Sequence, residues 1–155
     1  MVASGDVARL VAEAGLEAWR NFLYAHAAVI SRIEDDLARS GLVPLVWYDV
    51  LVAISSAPGR RLRMSALASE LVLTRSGTTR LVDKLEAAGL VRREAAEEDG
   101  RGAVAVLTPP GRQALRKAWP AYARGINKLF LSHLSTHEVE TLARALSRVR
   151  GAAAG

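Results

Sequence analysis

Length, composition and charge already exclude several classes of protein. The chain has 155 residues, half of them hydrophobic, which is enough for one domain with its own core. It has no cysteine, so disulfides, thiol-based sensing and Cys-ligated metals are excluded. Lys and Arg number 21 against 16 Asp and Glu, a formal net charge of +5 that fits phosphate binding but also many ordinary soluble proteins. Neither a signal peptide nor an apolar run of about 18 residues is recognisable.

Two helices are predicted in the first third of the chain. Apolar residues at helical spacing run through residues 6–39, and Gly41 ends this long amphipathic helix. A second helix is predicted from Pro44, which suits a first helical turn, to Ser56. Both precede the segment that carries the strongest functional pattern.

That segment begins with a predicted helix-turn-helix. Ser65 is a suitable N-cap for a short first helix, and the turn falls near residues 73–74. A second helix is predicted over residues 75–88, with Thr74 as its N-cap. Its predicted buried stripe, at helical spacing, comprises Thr78, Leu81, Val82, Leu85 and Ala88.

The opposite face of this second helix is polar and largely basic. It carries Arg75, Ser76, Thr79, Arg80, Asp83 and Lys84. Guanidinium and small hydroxyl groups at the start of an exposed helix can read base edges in a major groove. We therefore take Arg75, Ser76, Thr79 and Arg80 as candidate DNA contacts, the alternative being an ordinary solvated face.

A small hairpin follows the helix that Gly89 ends. Strands are predicted over residues 90–94 and 103–107, on either side of a charged turn. Arg101 near the tip of that turn is a candidate probe of a narrow minor groove, whereas Asp99 would repel phosphate and is expected to shape the turn or pair with Arg101. Residues 44–108 are thus predicted to form a winged helix-turn-helix, a mainly α fold with a small β-wing.

The chain is predicted to end in helices that need a partner. Pro109 begins a third long helix, and a capping box at 135–138 begins a last one, with fraying expected from Gly151. Residues 6–39 and 109–150 carry more apolar surface than one small winged module can cover. Pairing of these dimerisation helices with a second copy is the economical explanation.

The whole pattern resembles a known family. The segment LTRSGTTRLVDKLEAAGLVRRE, then Asp99-x-Arg101, Leu107-Thr108 and Gly111-Arg112, is similar to the MarR family of bacterial regulators. The resemblance spans nearly the whole chain as one domain, 1–155, with Gly100 where the family often has a second basic residue. It implies a cytoplasmic two-fold dimer on a pseudo-palindromic operator, with half-sites about one helical turn apart.

The resemblance also implies a small-molecule site. Asp49 lies in a largely apolar stretch, LVWYDVLVAI, and needs a partner such as Arg80 or a residue of the first helix. The urate-responsive branch of the family uses a Trp, an Asp and an Arg, which Trp19, Asp49 and Arg80 resemble in placement. With Trp47 they form our candidate ligand-binding set, for a phenolic or urate-like anion that releases a repressor. On spacing alone, Trp19 and Trp47 are more typical of core residues.

Other functions have less support. The three histidines, His26, His133 and His137, do not share one helix face, so no metal site is expected. No catalytic arrangement is recognisable, and neither an enzymatic activity nor a cofactor is expected. The alternatives to a ligand-controlled regulator are a DNA-binding protein without a ligand and a protein-interaction module with the same fold.

Overall fold

A computed structural model describes residues 13–71, 73–96 and 102–153. They group into two compact units: a winged unit of residues 34–124, and a terminal unit that combines residues up to 33 with residues from 125 onward. Residues 6–12 of the predicted first helix lie outside the described residues.

The described part of the chain is mainly helical. Its helices are α1 (Glu13–Arg39), α2 (Leu45–Ser56), α3 (Met64–Glu70), α4 (Arg75–Ala87), α5 (Pro109–Leu129) and α6 (Thr136–Ala153). Its strands are β1 (Arg61–Arg63), β2 (Val91–Ala95) and β3 (Ala103–Leu107). The prediction of an α-rich winged helix-turn-helix fold is confirmed. Within the described ranges, no helix is long and apolar enough to cross a membrane.

The strands form an antiparallel sheet in the order β1-β3-β2. The central strand β3 pairs Val106 with Arg61 of β1 and Leu107 with Val91 of β2. Strand β1 was not predicted, because three residues with two arginines give no clear alternation. Strand β2 begins one residue later than predicted.

One face of α4 is buried in the core of the winged unit. Thr78, Val82 and Leu85 are at most 1% exposed, and the Thr78 hydroxyl donates to the Thr74 carbonyl at 3.0 Å. This hydrogen bond satisfies the polar group that the core takes up. The aliphatic members of this core cluster include Val50, Leu51, Ile54, Leu67, Val82, Leu85, Val91 and Leu107. Of the predicted stripe, Leu81 is only half-buried and Ala88 is exposed.

Two of the predicted helix termini match the structure, and two differ from it. Thr74 caps α4, since its Oγ accepts from the Gly77 N–H at 3.1 Å. The predicted capping box is also confirmed, with the Ser135 N–H donating to Glu138 at 2.8 Å. Ser65, however, is not an N-cap: pairing of β1 with β3 keeps Arg63 extended, so α3 begins at Met64. Helix α6 continues to Ala153, so the fraying predicted from Gly151 was wrong.

The terminal unit leaves much apolar surface uncovered. None of the α6 residues is buried. Along α1, Trp19 is 56% exposed and Tyr24 is 73% exposed, and on α6 Val149 is 62% exposed. An apolar cavity of about 260 Å³ is lined by Phe22, Ala25, His26, Val29, Ile30, Phe130 and Leu146. Exposed apolar surface on this scale is typical of an interaction face.

A glycine permits the close approach of α5 to the hairpin. A Cβ placed on Gly111 would lie 2.1 Å from the Leu90 carbonyl oxygen and 2.8 Å from a Leu107 methyl group. Thr108 caps α5 at the same junction, where its Oγ accepts from the Gly111 N–H at 3.1 Å and donates to the Gly89 carbonyl at 2.7 Å. Only glycine fits here without movement of the backbone.

We therefore expect Gly111→Ala to lower the free energy of unfolding by about 1–3 kcal/mol, because the methyl group overpacks a backbone contact. Gly151→Ala is the matched control, since nothing lies within 4 Å of a Cβ at this glycine in α6. The control should be neutral or stabilising by up to about 1 kcal/mol. Urea unfolding of both variants measures the difference, and equal stabilities would contradict the close contact.

Candidate nucleic-acid interface

The exposed face of α4 carries four of the predicted DNA contacts. Arg75, Ser76, Thr79 and Arg80 are all solvent-exposed and occupy the first two turns of the helix. Burial of the opposite face fixes the direction in which they project. The structure thus brings together the four residues that the sequence singled out on this helix.

Local hydrogen bonds order this face without using up its binding capacity. The Thr79 hydroxyl donates to the Arg75 carbonyl at 2.9 Å, and Arg80 Nε lies 3.4 Å from the Ser76 carbonyl, to which it donates. Within the described residues, neither Arg75 nor Arg80 forms an ion pair. The Arg75 guanidinium and the terminal nitrogens of Arg80 therefore remain available to an anion or a base edge.

A basic cavity adjoins this face. It has a volume of about 290 Å³, and its polar lining comes from Arg63, Ser65, Arg75 and Thr79. Sequence reasoning noted the basic run at residues 60–63 but did not place it beside α4. Strand β1 makes the connection, because its pairing with β3 carries Arg63 to the start of α3. The cavity has the charge and the hydroxyl donors that suit a backbone phosphate.

An acidic residue at the base of the wing is held by two arginines. Glu94 accepts from Arg92 Nε at 2.8 Å, and its other carboxylate oxygen lies 2.8 Å from the Arg61 guanidinium. The hydrogen bond from Arg92, and then the charges of Arg61 and Arg92, hold the pKa of Glu94 below its usual value. Arg101 and Asp99 lie outside the described residues, so their roles stay predictions.

The predicted ligand residues are divided between the two units. Trp19 belongs to the terminal unit, whereas Trp47, Asp49 and Arg80 belong to the winged unit. Trp47 packs against the core, and Asp49 is exposed. In the part of the chain that the structure describes, Asp49 and Arg80 form no ion pair, so Arg80, the first of the two partners considered for Asp49, is not paired with it. Arg80 instead turns back along its own helix to the Ser76 carbonyl.

A different cavity lies between α2 and the first half of α5. It has a volume of about 460 Å³, and its lining includes Tyr48, Ser55, Arg116 and Trp119. Tyr48 packs edge-on against Tyr122, with ring centroids 5.1 Å apart. Aromatic faces, a hydroxyl and a guanidinium are the groups that bind a small aromatic anion. Sequence reasoning could not find this cavity, because Arg116 and Trp119 have no distinctive spacing relative to α2.

Asp49 influences the charge balance near this cavity. Reduced hydration raises the pKa of Asp49, although solvent still reaches much of its side chain. Burial raises the pKa of Tyr48 and of Tyr122, and the Asp49 carboxylate adds to both shifts. Its field thus disfavours a further negative charge nearby. An anionic ligand would place its charge toward Arg116 instead.

The described residues contain no group of three or more His, Asp or Glu side chains suited to a metal ion. His26 lies beside Phe22 on α1, with ring centroids 6.4 Å apart. His133 ends a short 3-10 turn, and His137 lies in the first turn of α6.

Comparison with known proteins gives a consistent family assignment. Residues 40–102 match the model of the MarR family. The chain is 36% identical over 102 residues to a putative transcriptional regulatory protein for the hcr operon of Thauera aromatica, an alignment that covers 66% of this chain and 60% of that protein. The chain therefore spans less than two thirds of this relative's length.

Solved structures extend the similarity over both units. AbsC, a MarR family transcriptional regulator from Streptomyces coelicolor, superposes with a TM-score of 0.84 and 31% identity over 91% of this chain and 95% of AbsC. Sco3205, a MarR family transcriptional regulator from the same organism, was solved in complex with DNA. It superposes with a TM-score of 0.84 and 30% identity, over 90% of this chain and 91% of Sco3205. These relatives are transcriptional regulators and not enzymes. The chain belongs to the MarR family of DNA-binding transcriptional regulators.

Proposed function

We propose that this regulator is a homodimer that binds a pseudo-palindromic operator, represses transcription and is released by a small anionic aromatic ligand. An operator overlapping a promoter would be blocked while the protein is bound, and ligand-induced release would switch the gene on. The mechanism is a population shift, in which the ligand favours a dimer whose α4 helices are wrongly spaced for DNA.

The exposed basic face of α4 carries the DNA-binding part of the proposal. Its side chains project away from a core in which Thr78, Val82 and Leu85 are at most 1% exposed. Arg75 and Arg80 supply guanidinium groups that can bind phosphate or guanine, and Ser76 and Thr79 supply hydroxyls. The cavity lined by Arg63 and Ser65 extends this surface toward the wing.

Arg80→Ala is expected to weaken operator binding by about 10- to 100-fold, because it removes a base contact worth about 1–3 kcal/mol. It should also relax the sequence preference at one position of each half-site. Fluorescence anisotropy with an operator duplex and its single-base variants measures both effects. Arg148→Ala, an exposed arginine of α6, is the matched control and should bind like the wild type. Unchanged affinity and preference in Arg80→Ala would reduce Arg80 to a surface charge.

The terminal unit supports the dimer. Its large exposed apolar side chains on α1 and α6 include Leu16, Trp19, Phe22, Leu23, Leu146 and Val149. A second copy would cover this surface and remove apolar area from water, at about 25 cal/mol per Å². A two-fold pair would also present two α4 helices to successive major grooves.

The cavity beside Tyr48 supports the ligand-controlled part. The same fold, at 16% identity and a TM-score of 0.75, occurs in Bordetella bronchiseptica BpsR, whose DNA binding is regulated by 6-hydroxynicotinic acid. In this chain, Arg116 supplies the positive charge of the cavity and Trp119, 52% exposed, supplies an aromatic surface. Trp19, Trp47, Asp49 and Arg80 remain a second, alternative ligand set.

Salicylate is expected to raise the melting temperature of the wild type, because a ligand that binds only the folded state stabilises it. Arg116→Gln should abolish most of this shift by removing the counter-charge for the carboxylate. Lys117→Gln is the matched control, an adjacent exposed cation of α5 that does not line the cavity. Differential scanning fluorimetry over a salicylate series measures the shifts. A full shift in Arg116→Gln, or none in the wild type, would contradict this site.

A further inference from the structure

Arg93 of β2 reaches across to three residues of α4. Its Nη2 atom lies 2.6 Å from an Asp83 carboxylate oxygen and donates to the Thr79 carbonyl at 3.1 Å. Its Nη1 atom donates to Glu86 at 3.4 Å, and its backbone N–H donates to the other Glu86 carboxylate oxygen at 2.9 Å. We call this group of four residues the Arg93 clamp.

The clamp follows from helical spacing and from the position of β2 in the sheet. Residues 79, 83 and 86 are separated by four and three positions, so they lie along one edge of α4. In the described sheet β2 is an edge strand, and Glu86 satisfies one of its outward N–H groups. The planar guanidinium can bind a carbonyl and two carboxylates at once, which a lysine ammonium cannot do in a fixed geometry.

The clamp contributes more to geometry than to stability. Asp83 and Glu86 retain 52% and 39% of their side-chain exposure, and ion pairs this exposed contribute little to folding. Yet the Arg93 side chain is only 27% exposed, and its contacts join the hairpin to the carbonyl of Thr79, a candidate base-reading residue. The single positive charge of Arg93 also offsets one of the two negative charges that Asp83 and Glu86 place on α4.

We propose that Arg93 is a positioning residue that fixes α4 relative to the wing, so that base contacts and wing contacts are made in one register. This inference rests on the proposed contact of α4 with DNA. Arg93 would act through Thr79 and Asp83 and would not itself touch the phosphate backbone. It therefore determines the preference for operator over unrelated DNA more than the overall attraction to DNA.

The test uses a double variant that keeps the net charge of the wild type. Arg93→Gln with Asp83→Asn removes one positive and one negative charge together. Arg92→Gln with Glu94→Gln is the matched control, because it also keeps the net charge and removes the ion pairs of Glu94 with Arg92 and Arg61, which join β2 residues to each other and to β1 and not to α4. Affinities for a selected operator and for a scrambled duplex are measured by anisotropy over a salt series, and folding is checked by circular dichroism.

If the Arg93 clamp positions α4, the ratio of operator affinity to scrambled-duplex affinity should fall about tenfold in the double variant. The affinity for the scrambled duplex and its salt dependence should stay unchanged. The control should keep its ratio within about twofold. An unchanged ratio in the double variant would overturn the proposal. So would a parallel loss of both affinities with a salt slope reduced by about one, since that result identifies Arg93 as a phosphate contact.

Two further measurements cover a double variant that does not fold and a wild-type protein that does not recognise an operator. If the double variant does not fold, Arg93→Lys replaces it, because lysine keeps the positive charge but lacks the planar guanidinium with its fixed donors. A wild-type affinity ratio in Arg93→Lys would overturn the proposal. A wild-type protein that prefers no duplex would instead contradict the proposed function, a failure visible before any variant is compared.

Discussion

Burial of one side of α4 is the constraint on which the winged unit depends. Thr78, Val82 and Leu85 lie in a core shared with α2 and with the central strand β3. Because a helix repeats every 3.6 residues, burying this stripe turns Arg75 and Arg80 outward without any further interaction. The Thr74 cap fixes where the helix starts, and hence which residues occupy its first two turns. The exposed basic face that we propose for DNA binding is therefore a consequence of core packing.

The α4 arginines of this surface have no ion-pair partner among the described residues, while acidic residues in the same unit are paired with other arginines. Arg75 and Arg80 form no ion pair within the described residues, whereas Asp83 of the same helix and Glu94 of β2 each pair with an arginine of β2. Glu94 is neutralised by Arg92 and Arg61, and Asp83 by Arg93. A net charge of +5 is modest for a DNA-binding protein. Its local effect on the exposed face of α4 is larger, because arginines of β2 offset part of the nearby negative charge.

Most of the winged unit could be predicted from the sequence because its signals are local. The stripe at Val82 and Leu85, the Thr74 cap and the alternation of residues 103–107 each depend on near neighbours in the chain. Strand β1 could not be predicted, since a three-residue strand exists only through its partner β3. The misplaced N-cap at Ser65 has the same cause.

The candidate site was only partly predictable, because some of its contacts are local in the chain and others depend on tertiary packing. Contacts along α4 follow from helix geometry, so Arg75 and Arg80 were identified correctly as exposed residues of one face. The cavity between α2 and α5 depends on tertiary packing that joins Tyr48 to Trp119, which no spacing in the sequence reveals. A pair of Asp49 with Arg80 also depends on tertiary packing between α2 and α4, and within the described residues the Arg80 side chain donates to a carbonyl of its own helix instead.

The most direct test of the central claim is selection of binding sites from a random duplex library, using the purified full chain at near-physiological salt. A two-fold dimer with outward α4 faces predicts enrichment of a pseudo-palindrome whose half-sites lie about one helical turn apart. Enrichment of an unpaired half-site would contradict the dimer. Absence of any enriched sequence would contradict operator recognition by α4.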